Sequence, residues 1–424
     1  MTEVRFNWYY DIVEVLSFLT GVTLCLQHNI GKTIKVAITT NNTEALSYFC
    51  AKNDININNI DVLVRKLIIS KKNATISEQF FNHNCYQNNG RRYMPGTINI
   101  STTTKCNLYC YYCSTSERKK DSLSKYTMNH LIDNAKPFIN RVIIGGGEPF
   151  MDKNIFLYIE RLLNHDIITS ISTNGTILTS SKCINKIINS GLKHIQISLD
   201  TSEEKIFKEI TNVKFKVDKI IDGIQHLINS GVNVKVRTVI THENLNHIPE
   251  LVTFLNECGI YRHDLTFPNT LHHHLNKNNR LLFTESEICN LESKLSDHSH
   301  VSLNSNINTW KNSNDIVSCG ILKETLTLFA NGDIYACDSD KEFLLANIKD
   351  EPIEDIWNSK RSNDLYQNLS NLWIESSSIC SSCIHGSTCR GGCVLEKRRK
   401  GLALTEPDPR CYFHNDFNGD SQYG

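Results

Sequence analysis

The chain of 424 residues lacks any excess of charge, with 45 lysines and arginines against 45 aspartates and glutamates. Without a global positive field it cannot hold nucleic acid or an anionic membrane by electrostatics, so neither is expected as a partner. A long apolar run is also missing. The most apolar stretch, Ile12 to Leu26, follows Asp11 and is interrupted by Glu14. It falls short of the ~18–20 residues that a membrane span requires, and reads as a buried helix or strand pair of a small domain. The opening Met1-Thr2-Glu3 offers no basic start and no small-residue cleavage site, so no export is expected and the cytoplasm is. Solenoid repeats are absent, as are low-complexity tracts beyond a short polar end.

Cysteine is what the chain does have. Sixteen thiols are too dilute for a small disulfide scaffold of this length. In a reducing compartment, clustered thiols more often bind metal or do chemistry. The length sets a prior of two or three domains.

Three regions differ in pattern. Residues 1–95 alternate short apolar runs, Ile34 to Ile38 and Val62 to Ile69, with Asn-rich turns, and Asn82–Arg92 reads as a linker. From Thr97 a strand–helix beat begins. Strands are predicted at Thr97–Ser101, Arg141–Ile144, Ile167–Ser172, His194–Leu199, Val232–Ile240 and Asp264–Phe267. Helices are predicted near Met128–Ile139, Asn154–Leu163, Lys182–Ile188, Val217–Ile228 and Ile248–Cys258. Six such units argue for a parallel sheet with helical crossovers. After about residue 300 the beat gives way to short turns and spaced cysteines.

At the end of the first predicted strand stand Cys106, Cys110 and Cys113, at x3 and x2 spacing. Three thiolates from one loop can converge on a four-iron cubane and leave one iron without a protein ligand. Such an iron is free to bind a substrate or cofactor. A structural zinc site wants four ligands, and the ferredoxin spacing differs. Directly after the second strand comes Gly145-Gly146-Gly147-Glu148-Pro149. Glycine there permits close backbone approach, and Glu148 can accept a hydrogen bond from a cationic amino group. Both motifs fall at C-terminal strand ends, where α/β barrels carry their active sites.

These residues resemble the radical SAM superfamily, whose signature is C-x3-C-x-aromatic-C followed by a GGEP segment; Tyr112 fills the aromatic position. The resemblance implies a partial (β/α)6 TIM-type barrel of the α/β class. It also implies that S-adenosylmethionine chelates the open iron through its amino and carboxylate groups. The glycines, Glu148 and Pro149 would hold the methionine amino group, and Tyr112 would lie near the adenine. Asn174, with Gly175, and Ser198 with Asp200 occupy positions where family members contact the cofactor. Many relatives carry a His-Asp-x-x-Arg segment after the fourth strand, where this chain has Ile206 to Thr211 and no arginine. Arg237 offers a substitute fork for the methionine carboxylate, its other reading being a surface salt bridge.

A second array runs Cys319, Gly332, Cys337, then Cys380, Cys383, Cys389, Cys393 and Cys411. In spacing it resembles the SPASM extension of radical SAM enzymes, although C-x2-C also suits structural zinc. The resemblance implies two auxiliary 4Fe–4S clusters, making three in all: Cys319, Cys337 and Cys393 on the first, Cys380, Cys383, Cys389 and Cys411 on the second. Cys289, in a helical pattern, either completes the first cluster or is simple core; an open iron is favoured. Asp338 is implied as a proton acceptor, its other reading being a turn cap.

His272, His273 and His274 read as a solvated loop, and Lys397 to Lys400 as a solvated basic face. Cys25, Cys50, Cys85, Cys183 and Cys258 read as packed or semi-buried thiols.

The expected architecture is a small α+β domain over 1–95, a radical SAM core over 96–290, a linker over 291–314, a cluster-binding extension over 315–415 and a tail over 416–424. Members with this extension act on peptides or proteins through a 5′-deoxyadenosyl radical. The N-terminal region has the length of a leader-peptide-binding domain, which takes a leader by strand addition, or else it caps the barrel bottom. A precursor-peptide maturase forming C–C, C–O or C–S cross-links is therefore expected, with sulfatase maturation as the alternative. A zinc-binding interaction protein is the alternative of another class. A flavodoxin- or ferredoxin-type donor would supply electrons.

Overall fold

The computed structural model describes residues 2–39, 46–47, 50–51, 53, 55–68, 74–80, 85–87, 91–113, 121–135, 138–260, 262–268, 283–298, 301–304, 321–337, 343–371, 378–383, 391–399 and 401–408. Cys319, Asp338, Cys389, Cys411 and the three histidines 272–274 lie outside the described residues. No described helix is long and apolar enough to cross a membrane.

Alternation of period two is visible throughout the central strands. In β9 (Asn233–Val239), Val234, Val236 and Thr238 are buried while Asn233, Lys235, Arg237 and Val239 are half-exposed. One set packs outward on helices and the other lines the concave face. The same alternation holds in β5 (Thr97–Thr103), β6 (Arg141–Gly146) and β8 (His194–Ser198). Together with β7 (Ile168–Thr173) and β10 (His263–Thr266), these are the six predicted strands, all paired in parallel. Crossovers run through α3 (Lys125–Ala135), α4 (Ile155–Asn164), α5 (Ser181–Asn189), α7 (Val217–Asn229) and α8 (Ile248–Glu257). An additional helix, α6 (Glu204–Thr211), precedes α7; it fills the stretch where relatives would place their arginine segment.

The sheet extends beyond the expected six strands on both sides. Helix α9 (Glu285–Leu295) leads into β11 (Val301–Asn304), which pairs in parallel with β10. The range expected as a linker thus contains, at Val301–Asn304, a seventh parallel strand. On the other side, β12 (Thr325–Leu328) pairs in parallel with β5 and continues antiparallel into β13 (Asp333–Tyr335) and β14 (Leu344–Asn347). The resulting order is β11-β10-β9-β8-β7-β6-β5-β12-β13-β14. The cysteine-bearing extension shares the barrel's sheet and its core: Leu326, Leu328, Ile334 and Trp357 join Ile98, Ile100 and Val142 in one buried cluster. Each such fully buried side chain contributes about 1.5–3 kcal/mol by area.

The N-terminal region is a small α+β unit, as its alternating texture predicts. Its sheet has the order β3-β2-β1-β4, from β1 (Thr2–Trp8), β2 (Val13–Ser17), β3 (Thr23–Leu26) and β4 (Ala74–Phe80). The Ile12–Leu26 stretch is the strand pair, β2 against β3. Helices α1 (His28–Thr39) and α2 (Ile57–Leu67) pack Ile34, Ala37, Ile60 and Val64 on Val4, Phe6, Val13 and Val15.

This unit sits under the barrel. The turn from Phe18 to Gly21 meets the first residues of three barrel strands: Arg141 donates to Gly21 O, His194 Nε2 lies 2.8 Å from Phe18 O, and Asn233 Nδ2 donates to Leu19 O at 3.5 Å. The N-terminal region therefore does cover the barrel bottom.

The segment expected to be a linker ends in two buried arginines, which corrects that reading. Arg92 pairs with the buried Glu14 of β2. Arg91 is fully buried and donates from Nε to Leu322 O (3.0 Å) and from its second amino nitrogen to Trp357 O (2.6 Å) and Ser362 Oγ (2.7 Å). Its guanidinium carbon lies 4.1 Å from the centre of the Trp357 ring in α10 (Ile353–Asn358), which α11 (Lys360–Asn371) follows. Two adjacent side chains thus fasten the N-terminal unit and the C-terminal extension to one point.

Three smaller expectations change. Lys397, in α13 (Val394–Arg399), is buried and donates from Nζ to Leu404 O at 2.9 Å, so this basic run is not a wholly solvated face. Cys289 is exposed on α9, whose inward residues are Leu291 and Leu295, so it is not core. Cys25 is exposed as well, whereas Cys50 and Cys85 are buried and Cys183 and Cys258 half-buried.

Candidate functional site

Parallel strands deliver their C-terminal ends to one rim, and the sequence motifs sit in the loops that leave it. The loop after β5 carries Cys106, Cys110 and Cys113, all half-buried. Its path is fixed from outside: Tyr109 N donates to Thr211 O (2.8 Å) and Tyr111 N to Ile210 O (3.2 Å), both at the end of α6. Cys113 N closes a turn on Cys110 O at 3.2 Å. Cys106 Sγ receives Leu108 N at 3.5 Å and Asn174 Nδ2 at 3.8 Å. Burial pushes the Cys110 thiol up, and the neighbouring Asp200, Cys113 and Cys106 push it further. Three thiols in one loop, with the Asp200 carboxylate beside Cys110, form a soft donor set that an iron–sulfur cluster fits once the thiols ionise, since ligation requires thiolates.

The glycine segment has a role that the motif alone does not reveal. A Cβ on Gly147 would stand 2.2 Å from Lys105 O, and one on Gly146, at φ +126°, 2.4 Å from Thr103 O. Two short bonds join these segments, Gly147 N to Thr103 O and Glu148 N to Lys105 O, both 2.7 Å. The glycines at 146 and 147 thus let the segment lie directly on the backbone leading into Cys106. At Gly145, which faces the concave side, a Cβ meets nothing within 4 Å. Gly147→Ala is expected to displace the Thr104–Lys105 backbone, costing about 3 kcal/mol. Gly145→Ala should stay within about 0.5 kcal/mol in a urea unfolding measurement. Iron retained after reconstitution should fall only in the first.

Glu148 is buried, 2% exposed. Its Oε1 accepts from Thr173 Oγ1 (2.8 Å) and Phe150 N (3.1 Å), and its Oε2 from Asn174 N (2.8 Å). Burial pushes its pKa up against those three bonds. A carboxylate has about four lone-pair sites, so about one remains on Oε2 for a ligand donor. Asn174 is tied in as well: its Oδ1 accepts from Thr176 N (3.0 Å) and Thr176 Oγ1 (2.7 Å), and its Nδ2 donates to Asn107 Oδ1 (2.9 Å). Gly175, at φ +76°, makes the turn in which a Cβ would strike Ile197 and Ile220.

Tyr112 OH donates to Asp200 Oδ2 at 2.5 Å, and Asp200 Oδ1 accepts Val239 N at 2.8 Å. Burial pushes Asp200 up to about 6, against these two bonds, and holds Tyr112 protonated. Asn244 closes the arrangement by donating to Asp200 O and Val239 O, both at 2.9 Å. Ser198 ends β8 in register with Arg237. Arg237 lies 3.4 Å from Asp264 Oδ2 on the concave face, 43% exposed, with its Nε buried and unbonded. The structure therefore brings the cysteine loop, Glu148, Asn174, Asp200 and Arg237 to one rim. Asn107, Thr173, Thr176 and Asn244 support them, and no spacing in the sequence marks these four.

Of the second array, four cysteines are described. Cys337 follows β13, Cys380 lies in α12 (Ser378–Ser382), Cys383 N donates to Cys380 O (3.3 Å), and Cys393 N donates to Asp408 Oδ2 (2.7 Å). Cys337 and Cys393 border the same core as Cys106 and Cys110.

Comparison with known proteins agrees with this arrangement. Residues 100–255 match the radical SAM superfamily and residues 319–384 an iron–sulfur cluster-binding domain, SPASM. The mycofactocin maturase MftC of Mycolicibacterium smegmatis is 27% identical over 334 residues, spanning 75% of this chain and 82% of that one. Streptococcus suis SuiB bound to precursor peptide SuiA shares the fold over 97% of this chain and 100% of its own, with TM-score 0.69 and 16% identity. Native anSMEcpe with bound AdoMet and Cp18Cys peptide shares it over 76% of this chain and 95% of its own, with TM-score 0.57 and 17% identity. A cubane-type cysteine loop, a GGEP segment seated against it and a cysteine-rich extension built onto the same sheet therefore have one account: the chain belongs to the radical SAM superfamily and carries a SPASM domain.

Proposed function

We propose that the chain is a peptide maturase that abstracts hydrogen from a ribosomally made precursor peptide and closes a side-chain cross-link. The observation that carries this reading is the extent of the shared fold. With SuiB, described in complex with precursor peptide SuiA, it runs over 97% of the chain and so takes in the N-terminal unit. The relative MftC is itself named a maturase. Oxidation of a sulfatase Cys or Ser to formylglycine has no better support.

In this reading Cys106, Cys110 and Cys113 hold a 4Fe–4S cluster with one open iron, which takes S-adenosylmethionine. When bound, the pair supplies a 5′-deoxyadenosyl radical able to abstract hydrogen from an unactivated C–H bond. The chain's own groups position and exclude. Gly145, Gly146 and Gly147 shape the seat that ends in Pro149, and the remaining lone pair of Glu148 receives the methionine amino group. Tyr112, Asn174, Ser198 and Asp200 border the nucleoside. Arg237, whose open fork faces the concave side, receives the methionine carboxylate.

The extension holds two further 4Fe–4S clusters, one on Cys319, Cys337 and Cys393 and one on Cys380, Cys383, Cys389 and Cys411. Asp338 takes a substrate proton, and a flavodoxin- or ferredoxin-type protein supplies electrons. The leader of the precursor adds as a strand to an edge of the N-terminal sheet, where β3 and β4 are the outer strands among the described residues.

Anaerobic co-expression with a candidate precursor peptide tests the whole. Mass spectrometry should find a loss of two hydrogens per cross-link. An unchanged mass, or formylglycine at a Cys or Ser, would replace cross-linking by epimerisation or sulfatase-type oxidation.

A further inference from the structure

Asp264 stands directly across the ladder from Arg237, and Val236 across from His263. An arginine and an aspartate so placed would ordinarily close a bidentate pair. They do not. Asp264 Oδ2 makes its tight contact with Lys235 Nζ, two residues down β9 on the same concave face, and lies 3.4 Å from Arg237. Arg237 retains a buried Nε without a partner and a side chain 43% exposed. Two cations thus share one carboxylate, and the lysine has it. One level deeper in the barrel, Lys235 is in register with Gln196, while Arg237 is level with Ser198 at the rim.

We propose that Lys235 is a positioning residue for cofactor binding: it draws the Asp264 carboxylate down the barrel axis, and so keeps the Arg237 fork open for the carboxylate of the bound nucleotide. This rests on the reading of Arg237 as the methionine-carboxylate ligand. The physical reason is competition. A guanidinium satisfied by a fixed aspartate has little to gain from a ligand carboxylate, whereas one left half-satisfied gains a charge-assisted pair on binding. Lys235 does not touch the ligand; it removes the competitor.

The test is equilibrium binding to the full-length, cluster-reconstituted chain of two unreactive probes. S-adenosyl-L-homocysteine carries the carboxylate, and 5′-methylthioadenosine lacks it. Lys235→Met should weaken the first about ten-fold and leave the second unchanged, because Asp264 then closes on Arg237. Adding Asp264→Asn should restore the first to within about two-fold, and Lys235→Arg should retain it. Asp264→Asn alone, which serves should Lys235→Met fail to fold, is expected to leave that affinity unchanged or raise it.

Arg237→Leu separates the two levels of the argument. If it leaves both affinities unchanged, Arg237 is not the carboxylate ligand and the positioning role falls with it. If it weakens S-adenosyl-L-homocysteine alone but Lys235→Met does not, only the positioning role is overturned. Equal weakening of both probes by Lys235→Met, a fall in Asp264→Asn alone, or no restoration in the double variant would overturn it too.

Discussion

Cys106→Ala is expected to abolish formation of 5′-deoxyadenosine, by more than about a thousand-fold, in anaerobically reconstituted and reduced protein. Two thiolates from a loop do not hold a cubane, and without it no electron reaches the nucleotide. Iron should fall by about four atoms per chain, because the clusters proposed for the extension would remain. The fold should survive. Cys106 is half-buried, its bonds from Leu108 N and Asn174 Nδ2 are long, and Tyr109 and Tyr111 still anchor the loop to α6. Circular dichroism unchanged from the parent, with iron and nucleotide cleavage both reduced, is the expected result. Undiminished iron and cleavage in this variant would remove the basis for placing a cluster in this loop.

The second large effect concerns the joint below the barrel. Glu14 and Arg92 are 1% and 6% exposed as side chains. Glu14 Oε2 also accepts Asn140 Nδ2 (2.8 Å) and Tyr9 OH (3.2 Å), while Arg92 Nε donates to Met94 O (3.2 Å). Arg92→Met leaves a buried carboxylate without its counter-charge, and should cost about 3–5 kcal/mol. Arg92→Met with Glu14→Leu should recover much of that, since an apolar pair of similar volume removes the buried charge.

The loss should depend on pH with a definite sign. Burial would raise the Glu14 pKa, but Arg92 and the hydrogen bonds from Arg92, Asn140 and Tyr9 hold it below 4.5. A depressed carboxylate stabilises the folded state above its unfolded pKa, and that contribution fades as pH falls through the folded value. In Arg92→Met, burial is opposed only by the hydrogen bonds from Asn140 and Tyr9, and the penalty is relieved when Glu14 protonates. The gap between parent and variant should therefore be widest near pH 7 and narrow as pH falls toward about 4.5 and below it. Urea unfolding midpoints across that range measure it; a gap that widened in acid would contradict the account.

Some of this molecule is legible in its sequence because the relevant physics is local. Period-two alternation between helical stretches marks all six predicted strands, and boundaries move by only a residue or two. The cysteine triplet and the glycine segment are contiguous, so loop position follows once the strand ends are known. Other features depend on partners far along the chain. β11 is four residues long, and its pairing with β10 supplies what its own sequence does not. β12 joins β5 across more than two hundred residues, and nothing in Thr325–Leu328 names that partner. Arg91 and Arg92 stand in an Asn-rich stretch and look solvated. Their burial depends on Trp357 and Glu14, which the fold brings to them. Lys397 is misread for a more local reason, since its ammonium finds a carbonyl seven residues on, which the basic run by itself does not mark.

By itself, the order of residues determined the chemistry's raw materials: which thiols share a loop, which glycines precede Glu148, and which strands carry them to one rim. The tertiary structure decided how those groups are used. It set how much of Glu148 remains for a ligand, made Asp264 answer to Lys235 before Arg237, and fastened both flanking units at one pair of arginines. The reason is that periodicity and spacing are properties of neighbouring bonds. Competition for a carboxylate, or burial of a guanidinium, exists only when distant segments are brought within a few ångströms of one another.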